Sequence, residues 1–159
     1  MSKLVTSTLQ NDIAVITIDN PPVNALSQDV ADGIDTAIAR AQQDPAVRAI
    51  VIAGAGRTFV AGADIKGLEG LAWGEGSGAP DMHDIFTRME NGPKPVVMAL
   101  HGTVLGGGLE LAMAGHYRVA VAHALMGQPE VNLGIIPGAE GTQRLPRLVG
   151  VEKAIEMCV

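Results

Sequence analysis

The stretch Leu105-Gly106-Gly107-Gly108-Leu109-Glu110-Leu111-Ala112 sets three consecutive glycines before an apolar segment that carries one glutamate. The run Val96-Val97-Met98-Ala99-Leu100 precedes it. The order reads as a strand over 96–100, a small-residue turn over 101–108 and a short helix over 109–114. N–H groups at such a turn have no helical partner and sit at the positive end of the helix dipole. They therefore favour an oxygen that carries or develops negative charge. Ala61-Gly62-Ala63-Asp64 has the same small-residue layout. Two such turns side by side would give one N–H each to a single oxygen, an oxyanion hole. The plainer alternative is that small residues only let two turns pack closely. The pattern leaves both readings open.

Glu110 opens an otherwise apolar helix, Leu109-Glu110-Leu111-Ala112-Met113-Ala114. It is either a first-turn charge that complements the dipole or a functional carboxylate at a cavity. Glu130, in Gly127-Gln128-Pro129-Glu130, is either a solvated loop residue or a second functional carboxylate. Nothing in the sequence alone brings the two together.

Working outward, residues 3–8 and 13–18 read as strands around the turn pair Asn11-Asp12, the second an apolar run. Ser27 is placed to cap a helix reaching to about Gln43, with Val30, Ile34, Ala37, Ile38 and Ala41 on one face. Residues 48–53 are nearly all apolar, the type of strand buried on both sides. Residues 71–81 hold Gly74, Gly76, Gly78 and Pro80 and read as a loop, either a plain connection or a wall over a binding site. Helices are expected over 82–91, 139–148 and 151–159, and a strand over 117–121. A strand–turn–helix unit recurs at 58–66, at 96–114 and, more loosely, from 124 to 138. Such units stack as an α/β spiral with their turns on one side.

The 159 residues suffice for one domain with a core. A hydrophobic fraction of 47% with 18% charged residues marks a globular chain. Eleven basic against seventeen acidic residues, net charge −6, and no basic cluster argue against nucleic acid or an anionic membrane as partner. Lys66 remains a local cation able to meet a phosphate. The single cysteine, Cys158, excludes an internal disulfide framework and fits a reducing compartment. No signal-peptide profile or bilayer-length apolar run is present, so a cytoplasmic protein is expected. His83, His101, His116 and His123 lack paired metal-ligand spacing, so no metal site is expected. Gly54-Ala55-Gly56 mimics the start of a dinucleotide fingerprint, but Phe59 takes the third glycine position.

Taken together, Asn20-Pro21-Pro22-Val23-Asn24-Ala25-Leu26, Phe59-Val60-Ala61-Gly62-Ala63-Asp64-Ile65-Lys66, the stretch 93–122 and Gly127-Gln128-Pro129-Glu130 onward to Gly150 resemble the crotonase, or enoyl-CoA hydratase/isomerase, superfamily. Within it, His116-Tyr117-Arg118-Val119-Ala120 and Gly141-Thr142-Gln143-Arg144-Leu145-Pro146-Arg147-Leu148 look most like the N-terminal hydratase/isomerase part of multifunctional β-oxidation enzymes. The resemblance implies a crotonase-like (ClpP/crotonase) spiral of ββα units, forming one core domain over 1–159. It implies that Ala63 and Gly107 give the oxyanion-hole N–H groups and that Glu110 and Glu130 are the catalytic pair, base and acid. Ala25, Ala61, Gly62, Asp64, Ile65, Lys66, Gly106, Pro129 and Gly138 would line the substrate site. The implied substrate is an acyl-CoA thioester, coenzyme A being part of the substrate, with no metal or redox cofactor. The implied reaction is hydration of a trans-2-enoyl-CoA, with 3-enoyl to 2-enoyl isomerisation as the alternative. Complete members add helices that close the acyl pocket and build trimer contacts. The chain is therefore expected to be incomplete at its C-terminus, and a fragment that binds acyl-CoA without turnover is a further possibility.

Overall fold

Two six-residue strands, β1 (Val5–Gln10) and β2 (Ile13–Ile18), flank the Asn11-Asp12 turn, with Asn11 at φ 56°. The computed structural model describes residues 4–64 and 82–158. Helix α1 (Gln28–Gln43) follows, then β3 (Ala49–Gly54) and the short β4 (Val60–Ala61). After residue 81 come α2 (Met82–Asn91), β5 (Val96–Leu100), β6 (Thr103–Leu105) and α3 (Gly107–Ala114). Strands β7 (Tyr117–Ala120) and β8 (Leu125–Gly127), a 3₁₀ turn over Pro129–Leu133, α4 (Gly141–Val149) and α5 (Val151–Cys158) complete the order.

The strands form two sheets. The larger has the order β1-β2-β3-β5-β7, antiparallel between β1 and β2 and parallel thereafter. The smaller has the order β4-β6-β8 and is parallel throughout. Three times the chain passes from the large sheet to the small one: β3 to β4, β5 to β6, β7 to β8. A helix or helical turn follows β6 and β8 directly. The expected strand–turn–helix repeat is thus a ββα repeat. Its second strand was hidden in what reads as a turn at 101–108, because Thr103–Leu105 is too short between Gly102 and Gly106 to show a period.

The core lies on one face of the large sheet. Register places Ile16 opposite Ile52 and Ile52 opposite Met98, a row of fully buried side chains. Val30, Ile34 and Ile38 of α1 and Ile85, Phe86 and Met89 of α2 close over that face. Each such side chain contributes roughly 1.5–3 kcal/mol by leaving water. The helical face read from the sequence in α1 is the buried one. The expectation that 48–53 is buried on both sides is corrected: Ile50 and Ile52 are buried, whereas Val51 and Ala53 on the other face are only half covered. Ser27 does sit at the N-cap, in extended conformation, but its side chain makes no capping bond. Helix α4 begins at Gly141 rather than 139.

Candidate active site

The small sheet assembles the site through its register. Ala61 pairs with Leu105 and Leu105 with Gly127, so β4, β6 and β8 end at the same level. The residues that follow leave the sheet side by side: Gly62-Ala63, Gly106-Gly107 and Gln128-Pro129-Glu130. Gly106 N–H donates to the Gly127 carbonyl at 2.9 Å, which ties the second turn to the third. Gly62 and Gly106 have φ of 99° and 51°, a backbone region that side chains with a Cβ strongly disfavour.

Ala63 and Gly107 meet. A Cβ on Gly107 would lie 3.6 Å from Ala63 N and 3.4 Å from Leu26 Cδ1. Ala63 forms a parallel bridge with Leu26, in which Leu26 N–H bonds Gly62 O at 2.9 Å and Asp64 N–H bonds Leu26 O at 3.1 Å. That pattern uses the neighbours' groups and leaves the Ala63 N–H directed away from Leu26. Gly107 is the first residue of α3, where an N–H has no intrahelical acceptor. Both residues are half-buried and therefore reachable.

Glu110 lies in the first turn of α3 and is 3% exposed. Its Oε1 accepts hydrogen bonds from Ala139 N–H and Gly141 N–H, each at 2.8 Å. The carboxylate therefore complements the N-terminus of α4 rather than that of its own helix. Burial pushes its pKa up, and the two N–H bonds and His83 oppose that without cancelling it, while Glu130 adds to the rise. The other end of α3 is held by Arg118, whose Nη1 donates to the carbonyls of Ala112, Met113 and Gly115 at 3.4, 3.3 and 2.7 Å.

Glu130 stands in the first turn of the 3₁₀ segment, behind Pro129. It is half-buried rather than solvated, and its Oε2 is buried without a hydrogen-bond partner among the described residues. Its Oε1 lies 3.0 Å from where a Gly106 Cβ would stand. Burial raises its pKa too, opposed by its own backbone N–H. Glu130 Oε1 stands beside Gly106, and Glu110 lies in the first turn of the helix that Gly107 opens, so both carboxylates border the second turn.

Of the other expected site residues, Ala25, Ala61, Gly62, Asp64, Gly106 and Pro129 belong to these turns or the segment bridged to them. Gly138 is exposed, with open space at its Cβ position, directly before the Ala139 donor. Ile65, Lys66 and the 71–81 loop lie outside the described residues. Sequence reading missed the role of Asn24. It is 3% exposed; its Nδ2 donates to Ala55 O and Thr58 O at 2.9 and 2.8 Å, and its Oδ1 accepts from Asn20 N–H at 2.8 Å. It pins the Leu26 segment to the β3–β4 connection. Asn24 at φ 54° is the only signal for this, and the sequence does not display it. Gln128, 1% exposed and packed on Gly141, was also passed over.

Residues 8–159 match the model of the enoyl-CoA hydratase/isomerase family. The chain is 50% identical over 147 residues to a probable enoyl-CoA hydratase of Bacillus subtilis (strain 168), covering 91% of this chain and 57% of that protein. It is 49% identical over 150 residues to the peroxisomal bifunctional enzyme of Cavia porcellus, covering 94% of this chain and 20% of that one. The chain thus spans little more than half of the first relative and a fifth of the second. Among solved structures, the enoyl-CoA hydratase from Thermoplasma volcanium GSS1 superposes with a TM-score of 0.87 at 34% identity, over 99% of this chain and 64% of that one. With nearly the whole length matched, the chain belongs to the enoyl-CoA hydratase/isomerase, or crotonase, family and has its α/β fold.

Proposed function

We propose that the protein is an enoyl-CoA hydratase that adds water to a trans-2-enoyl-CoA to give a 3-hydroxyacyl-CoA. The observation that carries this reading is a buried, hydrogen-bonded Glu110 and an unpartnered Glu130 oxygen beside the Ala63 and Gly107 N–H groups. The thioester oxygen lies between those two N–H groups. As hydroxide equivalent adds to the β-carbon, negative charge moves onto that oxygen. Donors fixed in advance then bind the enolate-like transition state better than the substrate. Glu110, already oriented, takes the proton from water, and Glu130 delivers one to the α-carbon. Burial raises the proton affinity of both carboxyls, the direction that proton transfer by a carboxyl group calls for. A proton and a hydroxide are transferred and no electrons, so the scheme draws on no redox cofactor.

The exposed Val131, Leu133, Ile135 and Ile136, with Val151 and Ile155 of α5, support an oligomer, as a trimer would provide. Among the described residues no helix is long and apolar enough to cross a membrane. The lone cysteine favours the cytoplasm.

The test is loss of the conjugated thioester absorbance of crotonyl-CoA. Turnover by the wild-type chain should fall roughly 10²–10⁴-fold in Glu110→Gln, the range for an acid–base group. An equal rate in that variant sinks the assignment. Binding of crotonyl-CoA by calorimetry with no turnover would mark a non-catalytic module instead.

A further inference from the structure

Ala139 and Gly141 converge on one Glu110 oxygen, and the residue between them, Glu140, is left-handed at φ 68°, ψ 10°. Alternating right- and left-handed residues turn successive N–H groups toward one point, a nest that binds an anion. A glutamate adopts that conformation against its own preference and must be held there. Its backbone carbonyl starts α4, accepting from Gln143 and Arg144 N–H at 2.9 Å each. Its side chain is held from two helices. Arg144 Nη2 donates to Glu140 Oε2, and His83 of α2 stands with Nδ1 3.4 Å from Glu140 Oε1.

Arg144 is the hub of this arrangement. Its Nη1 donates to Glu90 Oε1 and its Nη2 to Glu90 Oε2 at 3.0 Å, a two-pronged bond to the far end of α2. The guanidinium carbon lies 5.6 Å from the centre of the buried Phe86 ring. The side chain is only 16% exposed. Exposed ion pairs rarely matter, but a planar, half-stacked fork shared by two carboxylates fixes geometry that a lysine cannot reproduce.

We propose that Arg144 is a positioning residue: by clamping Glu140 to Glu90, it fixes the nest that orients the Glu110 carboxylate. The inference rests on the catalytic reading of Glu110 only for its effect on rate; the geometric part stands without it. The ionisable groups that act on Glu110 are Glu130, which raises its proton affinity, and His83, which lowers it. Arg144→Met keeps the stem over Phe86 and removes the fork. Arg144→Lys keeps the charge without the fork.

The experiment follows the Glu110 carboxyl by carbon NMR through a pH titration and the exchange of the Ala139 and Gly141 amides. In Arg144→Met the Glu110 pKa should rise by about one unit as the N–H bonds loosen, because donors to a carboxylate favour its charged form. Exchange at Ala139 and Gly141 should quicken about tenfold, with Arg144→Lys shifted the same way. With crotonyl-CoA, kcat should fall while KM stays within about twofold, since an interaction made only in the transition state has been weakened. Arg147→Met, on the same helix and bonded among the described residues to Gln143, serves as the control and should leave all readings unchanged. Unchanged titration and exchange in folded Arg144→Met overturn the proposal. Should that variant not fold, the same readings on Arg144→Lys decide it. Full hydration by Glu110→Gln would overturn the catalytic reading instead and leave the NMR result standing.

Discussion

The two glutamates are held in opposite ways. Glu110 is buried on a helix fixed at its far end by Arg118, and one oxygen receives two N–H bonds from a clamped turn. Glu130 rides on a five-residue 3₁₀ segment, half-buried, with one oxygen enclosed and unbonded. Burial raises the proton affinity of both, yet only Glu110 receives offsetting bonds from outside its own residue. The contrast separates orientation from availability. Glu110 is a carboxylate oriented by two backbone N–H groups; Glu130 Oε2 is enclosed and accepts no hydrogen bond from the described residues.

The largest effects separate the two by reaction. Glu130→Gln should lower crotonyl-CoA hydration roughly 10²–10⁴-fold, as Glu110→Gln does. If Glu130 alone moves the proton between carbons, conversion of a 3-enoyl-CoA to the 2-enoyl product should survive in Glu110→Gln and vanish in Glu130→Gln. Equal losses in both variants would erase the distinction.

A smaller effect should appear in Gly106→Ala. At φ 51°, ψ −127° Gly106 lies outside even the left-handed helical region, which costs a side chain about 1–3 kcal/mol, and the new Cβ would press on Glu130 Oε1 at 3.0 Å. Urea denaturation should show the loss in stability, and carbon NMR should show the Glu130 titration moving while that of Glu110 stays. A shift at Glu110 alone would mean the two are coupled differently.

The smallest effect is thermal. A carboxyl whose proton affinity is raised in the folded state contributes stability fully present below its unfolded pKa and lost as pH rises through the folded one. Glu110→Gln should therefore melt higher than wild type at pH 8 and equally near pH 4 in thermal denaturation. Lower melting at pH 8 would mean that the nest bonds outweigh burial.

Much of this was legible in the sequence, and the limits have physical causes. Helix α1 announces itself because its apolar residues repeat at the helical period, and Ile13–Ile18 because an apolar run stands directly after a turn pair. Thr103–Leu105 is three residues long and has no period to read. The glycine turn and both glutamates were visible as residues, and the family likeness supplied roles for them. What could not be read is contact across distance: Ala139 and Gly141 lie 29 and 31 positions from Glu110. A glutamate at the start of a helix looks like a charge for that helix's dipole. Here it serves the start of α4, a choice made only when α3 and α4 pack.

The most direct test of the central claim is the behaviour of the Ala63 and Gly107 amides when a thioester binds. A nitrogen–proton NMR titration with a slowly reacting acyl-CoA should move both amide protons downfield together, with the Glu110 and Glu130 signals changing at the same ligand concentration. Saturable acyl-CoA binding that leaves those two amides unmoved would contradict the account.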